Sequence, residues 1–131
     1  MPEENLELVR RIYATWETGE VGESFLAEDV EWINPADALE PGTRTGVEGF
    51  CAAMGSVFGV WEELRVEPDR LEEVGGRVLM IGQIRGRARR AGEIEVTQPH
   101  AHLWTFRGGK VWRFRWFSSG KQALQALGSD P

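Results

Sequence analysis

The stretch His100-Ala101-His102-Leu103-Trp104-Thr105-Phe106-Arg107-Gly108-Gly109-Lys110-Val111-Trp112-Arg113-Phe114-Arg115-Trp116 decides the fold. Two runs of alternating residues flank a Gly-Gly pair, which reads as a β-hairpin with a tight turn. The spacing predicts strands over 93–106 and 110–118. On the first, His100, His102, Trp104 and Phe106 share a face; on the second, Trp112, Phe114 and Trp116 do. Working back along the chain, 60–74 and 76–89 read as two more long strands around Gly75-Gly76. Arg90-Ala91-Gly92 makes a looser turn between the pairs. Strands joined this tightly run antiparallel, so the C-terminal half is a four-strand meander. Gly82 and Gly86, inside the second long strand, mark bends or a bulge.

The first half of the chain has helical spacing instead. Leu6, Val9, Ile12, Tyr13 and Trp16 recur every three or four residues, with Pro2 and acids at the start and Gly19 at the end. Val21–Ala27 suggests a shorter second helix with Phe25 and Leu26 inward. Val30-Glu31-Trp32-Ile33-Asn34 reads as a short strand with Val30, Trp32 and Asn34 on one face, stopped by Pro35. After a turn-rich loop, Thr45-Gly46-Val47-Glu48 has the form of a capping box, and Val47, Phe50, Cys51, Met54 and Val57 continue a helix to Gly59. Ser119 is placed to cap a last helical turn containing Leu124 and Leu127.

The chain has 131 residues and a net charge of −6. That length suits a single domain, 1–131, with enough core to need no disulfide or metal staple. One cysteine, Cys51, excludes an intrachain disulfide, which fits a reducing compartment. The acidic opening lacks the basic and apolar regions of a signal peptide, and no apolar run approaches a membrane span. A cytoplasmic protein with no membrane partner is therefore expected. Charge divides unevenly: residues 1–75 hold 18 acids and 5 bases, and residues 76–131 hold 3 acids and 10 bases. A net acidic chain is a poor candidate for nucleic acid. The alternating Arg85, Arg87 and Arg89 lack interleaved aromatics, so they read as a solvated face or a dimer salt-bridge surface. Arg113 and Arg115 are expected to pair with the acid-rich first half or with a second subunit.

Helices, a strand, a helix and then a meander make an α+β plan. The expected form is a cone: a strongly curved antiparallel sheet with about three N-terminal-half helices packed on one side, enclosing one pocket. Three stretches resemble the nuclear transport factor two-like superfamily, in its SnoaL-like and ketosteroid-isomerase-like branch. They are Trp16–Glu20 leading to Phe25–Trp32, Asn34-Pro35 followed by Gly46–Phe50, and His100–Val111. The likeness covers nearly the whole chain and is specific for the fold rather than for an activity. It implies that the His100/His102 face turns toward a cavity. In steroid-isomerase relatives an Asp before a Pro is the proton-shuttling base; Asn34 stands there, and an amide cannot shuttle a proton. The tyrosine oxyanion donor of those relatives corresponds to Ile12, with Tyr13 one residue off that face, and their protonated Asp corresponds to His102. Steroid isomerase activity is therefore not expected. Neither the Arg-and-paired-Asp set of the epoxide hydrolase relatives nor the cyclase Asp can be matched.

His102, among large rings, should stay neutral near pH 7 and is the acid/base candidate, against the plainer reading of a packed histidine. Asn34 could donate to a carbonyl or enolate oxygen, or simply satisfy the strand end. Trp16, Trp32, Phe50, Met54, His100, Trp104, Phe114 and Trp116 are the expected ligand-binding walls, and the Trp32 indole N–H could face a ligand. Asp37 reads as a solvated turn carboxylate, or else a displaced base. Asp29 is expected to organise the turn into the first strand. His-x-His offers two metal ligands, too few for a site, so neither metal nor cofactor is expected. The expected function is binding of a small hydrophobic or polycyclic molecule, with cofactor-free isomerase, cyclase or dehydratase chemistry open to it. The alternatives are a non-catalytic carrier and an interaction module whose pocket its own side chains fill. A homodimer through the outer sheet face is the expected assembly.

Overall fold

A computed structural model of the chain describes residues 2–89 and 94–129; the expected turn at Arg90-Ala91-Gly92 falls outside them. Helix α1 (Pro2–Glu17) is followed by a single 3-10 turn, Glu23–Phe25, and strand β1 (Leu26–Asn34). Then come β2 (Gly42–Thr45), α2 (Gly46–Val60), β3 (Trp61–Val74), β4 (Arg77–Ala88), β5 (Glu95–Arg107), β6 (Lys110–Phe117) and α3 (Gly120–Ser129). The four long strands stand where alternation predicts them, and the glycine pairs turn with positive φ. No helix among the described residues is long and apolar enough to cross a membrane.

The six strands form one open sheet in the order β2-β1-β6-β5-β4-β3. It is mixed rather than wholly antiparallel, because β1 runs parallel to β6. The expected second helix shrinks to the 3-10 turn, because Leu26 already pairs with Val111 and draws 26–29 into β1. β2 escapes a periodicity reading because it has only four residues, Gly-Thr-Arg-Thr, none of them buried. Thr45 ends β2 opposite Glu31 and starts α2, but its hydroxyl makes no capping bond. By contrast, the amide of Gln122 bonds Ser119 Oγ at 3.3 Å, so α3 has the expected cap.

The three-helix layer needs a correction. α1 and α2 cover one face of the sheet, over a core that includes Val9, Trp16, Val78, Met80 and Trp104. α3 packs on the other face, where Ala123 meets Leu79, Ala101, Leu103 and Phe117. Alternation explains this: Val78 and Met80 point to one side and Leu79 to the other, so the centre of the sheet is buried twice over. The outer face is thus partly covered by the chain itself. The arginine stripe also finds partners within the chain: Arg85 with Glu67 and Glu95, Arg87 with Glu63, and Arg89 with Glu62. Arg113 pairs with Glu31 at 2.9 Å.

Bulges bend the sheet into a cone. The β3–β4 ladder slips between Glu62 and Arg65, opposite Gly86, and between Pro68 and Arg70, opposite Gly82. A β-carbon on Gly82 would overlap the Glu67 carbonyl oxygen and stand 2.9 Å from Asp69 N, so the backbones close to a distance only glycine permits. A third slip leaves Trp112 unpaired between Val111, opposite Phe106, and Arg113, opposite Thr105. That extra residue takes Trp112 out of the aromatic face. Its ring instead meets the guanidinium groups of Arg107 and Arg113, at 4.2 and 4.4 Å.

Gly82→Ala should therefore cost about 2–3 kcal/mol, the overpacking penalty of a site that cannot relax. Gly55→Ala, in α2 with open space around it, should gain about 0.5–1 kcal/mol. Urea denaturation of the two variants checks the opposite signs, and equal midpoints would refute the account of the bend.

Candidate functional site

The concave face carries a line of buried polar groups that crosses from helix to sheet. Trp104 Nε1 donates to Tyr13 Oη at 2.9 Å. Tyr13 Oη lies 2.8 Å from His102 Nδ1, and His102 Nε2 lies 2.8 Å from His100 Nδ1. β5 supplies the two histidines and Trp104 by strict alternation, and α1 supplies Tyr13 from the same stripe as Val9 and Trp16. His102 is 2% exposed, ringed by Tyr13, Trp16 and Phe114. His100 stacks flat on Trp116, with ring planes 11° apart.

Burial governs how these groups titrate. It pushes the His100 pKa down to about 4. His102 is driven well below its ordinary range, first by burial and then by repulsion from a charged His100. Both rings are neutral at pH 7. The Tyr13 phenol is pushed far up by burial, only partly offset by the Trp104 bond, and keeps its proton throughout.

The histidines stand at one wall of a cavity of about 630 Å3, well within the size of small-molecule sites. Trp16, Trp32, Met54, Phe114 and Trp116 line it, together with His100, His102 and Asn34. Phe50 and Trp104 do not. Phe50 packs edge-on against Trp32, and Trp104 is closed off by Tyr13, Trp16 and Phe114, so both support the wall from behind. Trp61, Leu64 and Ile84 join the lining from β3 and β4, which sequence reasoning treated only as strands. The tryptophans form walls and leave the space open.

Asn34 has little left to offer a ligand. Its Oδ1 accepts from Trp32 Nε1 at 2.8 Å and from Trp116 Nε1 at 2.7 Å, and its Nδ2 donates to the Glu40 carbonyl at 2.9 Å. One amide hydrogen remains. The Trp32 indole, expected to face a ligand, spends its donor on Asn34. Asp37 lies outside this cavity and accepts from Gln122, and Asp29 pairs with Arg107 across the β1 end of the sheet. Glu40, at the exposed rim beside Arg44, is the one carboxylate lining the cavity among the described residues. No cluster of three or more His, Cys, Asp or Glu there is placed to hold a metal.

Tyr13 is the member of this polar line that the sequence reading set aside. A signal for it existed: a buried indole N–H and a buried imidazole at alternate positions of one strand both need a polar partner, and the chain's single Tyr lies in the core stripe of α1.

Comparison with solved structures bears on the fold. An NTF2-like protein of unknown function from Burkholderia pseudomallei is 24% identical over 93% of this chain and 95% of its own, with a TM-score of 0.75. TerC, co-crystallised with polyporic acid, is 25% identical over 96% and 99%, with a TM-score of 0.73. A protein with a ketosteroid isomerase-like fold from Catenulispora acidiphila, in complex with trimethylamine, is 19% identical over 93% and 92%, with a TM-score of 0.72. No curated protein matches the chain. The model of the SnoaL-like domain matches residues 9–114, which run from α1 to the aromatic face of β6, and the chain belongs to that family.

Proposed function

We propose that the protein binds a small hydrophobic or polycyclic molecule in the cavity between α2 and the concave face of the sheet. One observation carries this reading: an open chamber of about 630 Å3, walled by aromatic and aliphatic side chains, with a neutral histidine pair as its main polar feature. Such a chamber desolvates an apolar ligand while a few polar groups orient it. The TerC and Catenulispora structures, with polyporic acid and trimethylamine, are consistent with small-molecule use of this fold.

The chemistry open to the site is cofactor-free proton transfer, of the isomerase, cyclase or dehydratase kind. His100 would meet the ligand, with His102 behind it. His102 cannot act alone, because both of its ring nitrogens are engaged within the protein. A carrier is the second reading, favoured by the absence of a buried carboxylate among the described residues lining the cavity. Turnover assays on a panel of polycyclic ketones and phenols separate the two. Turnover that His100→Phe abolishes supports an enzyme, and binding without turnover supports a carrier.

Binding itself is read by thermal shift. A ligand at a hundred times its dissociation constant adds about 2.7 kcal/mol, which raises the Tm of a domain this size by several degrees. Val57→Trp, which projects a large ring from α2 into the chamber, should remove the shift. No shift with any panel member would contradict the proposal.

The buried histidines also predict a pH dependence. The unfolded chain takes up protons below about pH 6.5, whereas folded His100 does so only near 4. Stability is therefore full above pH 6.5 and falls as the pH drops from 6.5 toward 4. In His100→Phe that loss should shrink. Urea midpoints at pH 7.5, 6, 5 and 4 measure it, and equal slopes in the two proteins would show that His100 is not its source.

A further inference from the structure

The buried chain fixes the protons on its histidines as well as their positions. An indole N–H can only donate, so Tyr13 Oη accepts the Trp104 hydrogen. The Tyr13 hydroxyl then needs an acceptor for its own hydrogen. Among the described residues the acceptor in reach is His102 Nδ1, at 2.8 Å. The reverse arrangement, with the hydrogen on His102 Nδ1, would leave the Tyr13 hydroxyl hydrogen buried among apolar rings with no partner. His102 therefore carries its one hydrogen on Nε2 and gives it to His100 Nδ1, at 2.8 Å. His100 in turn must hold its hydrogen on Nε2. Among the described residues that nitrogen has no hydrogen-bond partner, and it is not sealed from solvent. It belongs to a ring that lines the cavity and whose plane is set by the stack on Trp116.

We infer that His100 presents a fixed Nε2–H donor to the cavity, locked in that tautomer by Tyr13 through His102, and that the site selects ligands with a carbonyl or enolate oxygen at that point. This inference rests on the pocket-binding reading and names the ligand class within it. Tyr13 is a positioning residue: it touches no ligand, yet it decides which way a ring two hydrogen bonds away presents its proton. A bare, proton-accepting Nε2 on neutral His100 would require both histidines to change tautomer and the Tyr13 hydroxyl to lose its acceptor. The site is thus built to meet an oxygen that accepts, and a ligand offering only a donor N–H there is disfavoured.

Two measurements test this. A long-range 1H–15N spectrum of the 15N-labelled protein at pH 7 should show Nε2–H and bare Nδ1 on both histidines. A hydrogen on Nδ1 of either ring would overturn the lock, and this readout uses the unaltered protein, so a failure of variants to fold does not affect it. In Tyr13→Phe, where it folds, His102 should show a mixture of tautomers; an unchanged spectrum would overturn the role of Tyr13. For the ligand class, 9-fluorenone and fluorene share a planar skeleton and differ in the carbonyl. Fluorenone should bind at least tenfold more tightly, and His100→Phe should erase that preference; a preference that survives in His100→Phe would overturn the role of His100. Equal affinities in the unaltered protein would overturn the selection of an oxygen acceptor. Binding of neither would overturn the pocket reading and the ligand class together, leaving the tautomer to be decided by the spectrum.

Discussion

The hydrogen bond between Tyr13 and His102 is the contact on which the rest of the site depends. Together with the Trp104 Nε1–Tyr13 Oη bond it ties α1 to β5 within a cluster of buried rings. Burial makes it expensive to break, because each partner would be left unsatisfied away from water. Burial also keeps both imidazoles neutral, which lets a donor chain run from Trp104 to the cavity without a charge in the core. Rings of Trp16, Phe114 and Trp104 hold the chain from the sides. The aromatic core and the polar line thus support each other: rings exclude water, and the excluded water gives the hydrogen bonds their strength.

A second polar knot organises the other side of the chamber. Asn34 takes, by the resemblance to steroid isomerases, the position of a proton-shuttling carboxylate. Here its carbonyl oxygen gathers two indole N–H groups, from Trp32 on β1 and Trp116 on β6. The residue fixes walls instead of moving protons. Trp116 then links the two knots, since its ring also carries the stacked His100. A chamber walled by indoles, with a neutral imidazole donor, suits recognition of a flat molecule by stacking and one oriented hydrogen bond.

Much of this could be read in the sequence, and the reasons it stopped short are physical. The alternation from His100 to Trp116 and the Gly-Gly turns placed the long strands and the histidine face, because period-two patterning and turn chemistry are local. What was not legible is non-local. The parallel pairing of β1 with β6 leaves no trace in either strand. The bulge at Trp112 breaks the alternation that placed it on the aromatic face. The Leu79/Leu103 side of the strands called for a cover, but nothing local identified α3 as that cover. Tyr13 went unread because the resemblance to isomerases pointed to position 12, whereas its hydrogen bonds come from the Trp104 donor and the His102 acceptor that face it from β5. Phe50 and Trp104 read as walls because a face assignment cannot distinguish the first layer of a cavity from the second.

In the proposed mode a flat, oxygen-bearing molecule sits in the chamber, oriented by His100. A crystal structure of the protein with the tightest-binding polycyclic ketone tests it most directly. The prediction is a ligand packed against Trp32 and Trp116 with its carbonyl oxygen within about 3 Å of His100 Nε2. A ligand bound elsewhere, or one turned with its oxygen away from His100, would contradict it.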